Sequence, residues 1–205
     1  MLGLLINTVD IQNNIVLVSR GKILGQKTWR AHQNEANILL PALQKLLQQV
    51  KKKWTDVTHI VVVQGPGKFT STRIGITVAN TLAHELHIPI RGIDCLEMIM
   101  RQLYAADHHI FPVTVYIESE RKDFFVARYR RLKKAPVRLT SVIKNTKGKY
   151  VVVFLNGRRE GNIPLTQRED FSYILNLFED SNQFTSSPVV PLYVRGANIT
   201  QRKKR

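Results

Sequence analysis

The chain has 205 residues, 43% of them hydrophobic and 22% charged, a balance that excludes wholesale disorder and allows one large domain or two small lobes with real cores. Its single cysteine, Cys95, excludes an intrachain disulfide and a multi-cysteine zinc site, and fits a reduced intracellular setting. The net charge of +16, divided as +6 over residues 1–103 and +10 over 104–205, points toward polyanions through counterion release and equally describes a soluble, lysine-rich surface.

Three apolar stretches come first, at 2–7, 15–19 and 23–29, parted by Gln12-Asn13-Asn14 and Arg20-Gly21-Lys22. Tight Asn/Gly turns between β-rich runs predict an antiparallel meander. The opening MLGLLINTVD has too short an apolar run, and no basic start or cleavage site, for a signal peptide, so a cytoplasmic protein is expected. A helix follows over 35–50, with Asn34 as N-cap, Glu35 in the first turn, and Ile38, Leu39, Ala42, Leu43, Leu46, Leu47 and Val50 at helical spacing. Pro41 is expected in an early turn or at a kink, and Lys51-Lys52-Lys53 suit the C-terminal dipole.

His59–Val63 is a continuous β-branched run, as in a strand buried on both faces, and is far too short to span a bilayer. A second helix is predicted over 70–86, a strand over 88–93 and a third helix over 95–104. The order β-β-β-α-β-α-β-α is the layout of the RNase H-like lobe of actin-like proteins. In the second half, strands are predicted at 111–118, 123–131 and 150–155, and a short helix at 171–178. This half is too short for a full second copy, so the expectation is a two-lobed mixed α/β protein. Its N-terminal lobe spans 1–104, with the C-terminal tail able to rejoin it, and a reduced basic lobe spans 105–205.

The most specific segment is Gly65-Pro66-Gly67-Lys68-Phe69-Thr70-Ser71-Thr72-Arg73-Ile74-Gly75, between a buried strand and a helix. Backbone amides at such a helix start can receive an anion, and a structural turn is the alternative. Gly65 and Gly67 permit close backbone approach, Thr70 can cap the helix, and Gly75 implies close packing. A P-loop is excluded: aligning Gly67-Lys68 puts Val62 at the leading glycine and Phe69 at the magnesium-holding Ser/Thr.

The pattern Gly65-Pro66-Gly67-x-Phe69-Thr70-x-x-Arg73-x-Gly75 resembles the GPGSFTGxRxG signature of the TsaB (YeaZ) family, in the glycoprotease-like group. Ala31-His32-Gln33-Asn34-Glu35 through Leu40-Pro41 is similar to that family's first helix entry. Glu118-Ser119-Glu120-Arg121-Lys122-Asp123-Phe124-Phe125-Val126-Ala127 sits where the family has a D-A-R-x-G-E-V-Y-x-A hairpin, and Pro191-Leu192-Tyr193-Val194-Arg195 resembles its C-terminal P-x-Y-L-R. Departures are Lys68 for Ser, Ser71-Thr72 for Gly and an apolar residue, and a hairpin without its Asp and Gly.

The resemblance implies an actin-like fold and a catalytically inert scaffold paired with a homologous subunit, TsaD. TsaD transfers a threonylcarbamoyl group from its adenylate to N6 of adenosine 37 in tRNAs reading ANN codons. A third subunit, the ATPase TsaE, joins the complex, so ATP and magnesium enter through other subunits and this chain alone holds no cofactor. The residues support inertness separately. Actin-like phosphotransferases need a carboxylate at the end of the first strand, where this chain has Asn7, a poor magnesium anchor, and the family's D-T-S reads Asn7-Thr8-Val9.

No metal site is expected, since His84 and His87 are three apart, outside HExxH, and His108-His109 are adjacent. Cys95 is read as core. Two helices are apolar on more than one face, through two-sided core packing or a partner contact. The resemblance favours the partner, with Leu39, Leu43, Leu46, Thr77, Asn80, Thr81 and His84 as its surface. Whether the chain homodimerises when alone stays open. From 128 to 149 run Arg128, Arg130, Arg131, Lys133, Lys134, Arg138, Lys144, Lys147 and Lys149 without one acidic residue. Such a stretch is either a solvated basic face or a contact to tRNA phosphates. An independent actin-like ATPase or kinase and a stand-alone RNA-binding module are the competing readings.

Overall fold

A computed structural model of the chain describes residues 1–9, 12–30, 34–119, 121–133, 135–141, 143, 148–154, 158–163 and 171–194. β1 (Leu2–Asn7), β2 (Gln12–Ser19) and β3 (Lys22–Arg30) form the expected antiparallel meander. β4 (His59–Val63) lies parallel to β1 on its other side, Leu4 opposite Ile60, and β5 (Ile90–Ile93) extends the sheet in parallel. The strand order is β3-β2-β1-β4-β5. α1 (Glu35–Gln49) connects β3 to β4, α2 (Phe69–Glu85) connects β4 to β5, and α3 (Cys95–Ala106) follows β5.

The apolar runs of β1 and β4 are continuous because both faces of this sheet are covered. Leu4, Ile6, Ile15, Leu17, Ile60 and Val62 pack beneath α1 and α2 with Leu39, Leu43 and Ile76. On the opposite face Leu5, Val16, Val61 and Val63 meet Met98 of α3 and Ile174, Leu177 and Phe178 of a 3-10 helix, Ser172–Phe178. Each fully buried Leu or Ile contributes about 1.5–3 kcal/mol.

Helix ends depart from the sequence reading. Asn34 occupies the N-cap of α1 without a side-chain bond; its carbonyl accepts from the amides of Asn37 and Ile38. Glu35 is buried and accepts a 3.3 Å hydrogen bond from Asn13 Nδ2. α2 begins one residue earlier than expected, so Thr70 is an exposed first-turn residue and not the cap, while Thr72 Oγ1 donates to the Lys68 carbonyl at 2.7 Å. Lys51–Lys53 lie beyond the last turn of α1. Lys51 (φ +56°) and His87 (φ +54°) are the left-handed residues that end α1 and α2. The amides of Lys52 and Ile88 reach back to Leu47 and Ala83, each a Schellman turn.

The second sheet contains β6 (Val113–Glu118), β7 (Phe124–Tyr129), β8 (Arg138–Thr140), β9 (Lys149–Val153) and β10 (Arg159–Gly161), in the order β10-β9-β6-β7-β8. β8 and β10 have three residues each, too few for a period-2 signal, and the sequence reading did not contain them. Leu96, Met100 and Leu103 of α3 cover one face, against Val113, Val115, Ala127 and Val151. Among the described residues past Ala106 there is no α-helix, and the segment read as a helix at 171–178 is the 3-10 turn packed on the first sheet. Thr185 then bridges to Ile90.

A meander followed by parallel strands in this order is the RNase H-like sheet. With the second mixed sheet it makes an actin-like, two-lobed α/β fold whose second lobe is reduced. The sequence boundary at 104/105 falls within α3, which contacts both sheets. A buried ion cluster fastens that junction: Arg101 Nε and Nη2 donate to Glu97 Oε1 at 3.0 and 2.8 Å, and Arg91 Nη2 lies 3.9 Å from the same oxygen. Arg91 Nη1 donates to the Leu177 carbonyl at 2.8 Å, and burial lowers the Arg91 pKa despite Glu97.

Candidate functional site

The loop from Gly65 to Gly75 leaves β4 and enters α2. Gly65 has φ +101°, a conformation that needs glycine. The start of α3 ties the loop down: Cys95 donates from its amide to the Gly65 carbonyl at 2.9 Å and from Sγ to the Pro66 carbonyl at 2.7 Å. A methyl on Gly67 would overlap Val9 Cγ1 and stand 2.8 Å from the Val9 carbonyl oxygen. A methyl on Gly75 would overlap Thr8 Oγ1, which itself donates to the Ser71 carbonyl at 2.7 Å. Both glycines therefore admit the turn that follows β1, and buried Thr8 and Val9 occupy the space above the loop. The close packing read at Gly75 is to that turn. Asn7, at the end of β1, accepts from the Val9 amide through Oδ1 at 3.1 Å. Asp10 lies outside the described residues.

Past Lys68 at the N-cap of α2, Phe69, Thr70 and Arg73 turn outward. The Arg73 guanidinium carbon lies 3.7 Å from the Phe69 ring centre, and Arg73 Nε donates to Tyr193 Oη at 3.0 Å. Phe69 and Tyr193 remain 48% and 52% exposed. An aromatic–arginine cluster of this kind has the composition of an interface anchor. In the sequence Phe69 and Arg73 belong to the glycine-rich motif and Tyr193 to the separate Pro191-Leu192-Tyr193 motif, whose Leu192 amide donates to the Gln64 carbonyl at 2.8 Å. Arg195 lies outside the described residues, as do Ala31–Gln33 and Glu120.

Thr77, Thr81 and His84 form the exposed outer face of α2. Asn80 points to the chain's own C-terminal segment, donating to the Val189 carbonyl at 2.8 Å and accepting from the Val189 amide at 2.9 Å. Leu39, Leu43 and Leu46 are corrected: at 0%, 1% and 3% exposure they belong to the core under α1 and present nothing to a partner. The outer side of α1 instead carries Leu40, Pro41, Gln44 and Lys45, with Leu40 at 44% exposure. Helical periodicity located the apolar stripe and not which way it faced.

His87 serves as the left-handed end of α2, and His108 packs edge-on against Tyr104. Among the described residues no group of three or more His, Cys, Asp or Glu side chains is placed to hold a metal. No helix among them is long and apolar enough to cross a membrane.

The second lobe gathers the basic stretch into a depression of about 1240 Å³. Its lining includes Arg128, Arg130, Arg131, Lys133, Arg138 and Lys149 and, among the described residues, no Asp or Glu. Lys134, Lys144, Lys147 and the terminal Arg202-Lys203-Lys204-Arg205 lie outside the described residues. Strand alternation sets this arrangement. Val113, Val115 and Ala127 face α3, so Thr114, Tyr116, Val126 and Arg128 face away, and registry pairs Thr114 with Arg128 and Val126 with Arg138. Tyr116 and Thr114 on the wall were not expected from the sequence. Burial, then the neighbouring Tyr150, raise the Tyr116 hydroxyl pKa, so it stays a neutral hydrogen-bond donor.

A two-lobed actin-like protein with a self-filled glycine loop and an open aromatic–arginine cluster is thus in view. A family model described as TsaD, tRNA N6-adenosine threonylcarbamoyltransferase, matches residues 11–150. The tRNA threonylcarbamoyladenosine biosynthesis protein TsaB of Bacillus subtilis is 32% identical over 127 residues, covering 62% of this chain and 54% of that protein. The protein of the same name from Buchnera aphidicola (subspecies Acyrthosiphon pisum) is 28% identical over 110 residues, covering 54% of this chain and 48% of the relative. A solved Pseudomonas aeruginosa structure, described as similar to the peptidase YeaZ, superposes with a TM-score of 0.76 at 18% identity, over 95% of this chain and 99% of its own. The chain belongs to the threonylcarbamoyltransferase-type family that this model describes, in its TsaB (YeaZ) group. It spans about half the length of the curated relatives it matches.

Proposed function

We propose that the chain is a non-catalytic partner subunit of a complex that forms N6-threonylcarbamoyladenosine in tRNA, seated against a TsaD-type catalytic subunit and working in the cytoplasm. A TsaE-type ATPase is the third member, and ATP with magnesium enters through these other subunits. The observation that carries the reading is the Thr8–Val9 turn packed over Gly67 and Gly75 beside neutral Asn7. A phosphate on the loop amides would need the volume that Val9 holds, and Asn7 offers magnesium no carboxylate. The partner face of this reading is the outer side of α2, Thr77, Thr81 and His84, continued by Phe69, Arg73 and Tyr193.

The test is co-expression with the TsaD-type subunit of the same organism, followed by size-exclusion chromatography and calorimetry. A one-to-one complex is expected for the native chain and its loss for Thr77→Glu/Thr81→Glu, with no metal-dependent ATP binding by the isolated chain. ATP turnover by the isolated chain, or failure to associate when both chains are folded and the ATPase and ATP are supplied, would overturn the reading.

A further inference from the structure

We propose that the basic depression of the second lobe is an RNA-backbone site, resting on the reading above, and that it holds the tRNA while the partner subunit acts on it. Three observations carry this. First, Arg128, Arg130, Arg131, Lys133 and Arg138 line one concavity, and among the described residues none of them is ion-paired to a carboxylate. Some other cations of the chain are paired. Arg91 and Arg101 share Glu97, Lys122 meets Glu118, Arg158 meets Glu160, and Lys149 at the depression's edge lies 3.6 Å from Asp107. Five unneutralised cations converging on one surface repel each other until a polyanion releases its counterions there.

Second, the surface is concave, with the hydroxyl-bearing residues Thr114, Tyr116 and Thr140 among its lining. Neutral hydroxyls among guanidinium groups suit phosphate oxygens and ribose 2′-hydroxyls. Third, the large hydrophobic side chains that are exposed among the described residues, Met1, Leu24, Leu40, Phe69, Val190 and Tyr193, lie outside this lining. A flat bilayer would neither fit the hollow nor find an apolar wedge beside it. The contacts are to phosphate and sugar, so binding carries little sequence preference and the partner subunit selects the nucleotide.

Binding of a fluorescent tRNA transcript is measured by anisotropy across a salt series, for the isolated chain and for its complex with the TsaD-type subunit. Arg128→Glu/Arg138→Glu and, as a milder set, Arg130→Gln/Arg131→Gln/Lys133→Gln are compared with Lys22→Glu/Lys27→Glu, an equal change on exposed β3. Circular dichroism melting checks each fold. The groove variants are expected to lose at least about tenfold in affinity, and the two-residue variant to flatten the log K against log salt slope by about 1.5. The control changes little. Groove variants that bind like the control, absence of tRNA binding by both chain and complex at low salt, or equal competition by polyglutamate of matched charge would each overturn the proposal. Co-elution with the catalytic subunit is scored in the same samples. Groove variants that co-elute yet bind tRNA normally sink only this site. A native chain that never co-elutes sinks the scaffold reading, and the isolated chain still decides the groove.

Discussion

The two sheets have the same number of strands and opposite fates. The first is covered on both faces, by α1 and α2 on one side and by α3 with the Ser172–Phe178 turn on the other. The second has α3 on one face, and its other face turns Arg128 and Arg138 into a concavity with no carboxylate among the described residues. In the first lobe even the signature glycines serve close packing. In the second, Arg128, Arg130, Arg131, Lys133 and Arg138 meet no carboxylate among the described residues, where no further helix covers their face. A lobe that has used its polar groups internally is suited to hold shape against a partner, and a lobe left open is suited to hold a ligand.

The largest effect should come from breaking the junction between them. Glu97 is the shared acceptor of buried Arg91 and Arg101, so Glu97→Ala leaves two desolvated guanidinium groups. The expected cost is about 3–5 kcal/mol in chemical denaturation. A cost near zero would mean that the lobes are fastened elsewhere.

Glycine substitutions sharpen the contrast between packed and open regions. Gly75→Ala drives a methyl into Thr8 and should cost about 1–3 kcal/mol, whereas Gly148→Ala, with nothing within 4 Å of the added carbon, should be close to neutral. Equal costs would erase the distinction. The smallest effect has the opposite sign. Tyr129 is 1% exposed and its hydroxyl has no hydrogen-bond partner among the described residues, with burial pushing its pKa far up. Tyr129→Phe removes an unsatisfied polar group and should stabilise by up to about 1 kcal/mol. A clear loss of stability would show that the hydroxyl is satisfied by ordered water.

The sequence by itself determined the order of elements through Ile93, because continuous apolar runs, helical spacing and Asn/Gly turns are local signals that tertiary contacts here reinforced. It also determined the family, since Gly65, Gly67 and Gly75 each answer a steric demand that no other residue meets. Only the tertiary structure decided which side of α1 faces inward, placing Leu39, Leu43 and Leu46 in the core, because periodicity defines a stripe and not its neighbour. It also returned residues 171–194 to the first sheet through Ile90, Asn80 and Gln64, contacts about 90 to 130 residues apart that no local pattern encodes. The basic stretch was legible as charge. Its gathering into one unpaired hollow required the registry of β6, β7 and β8, since strand pairing sets which side chains share a face.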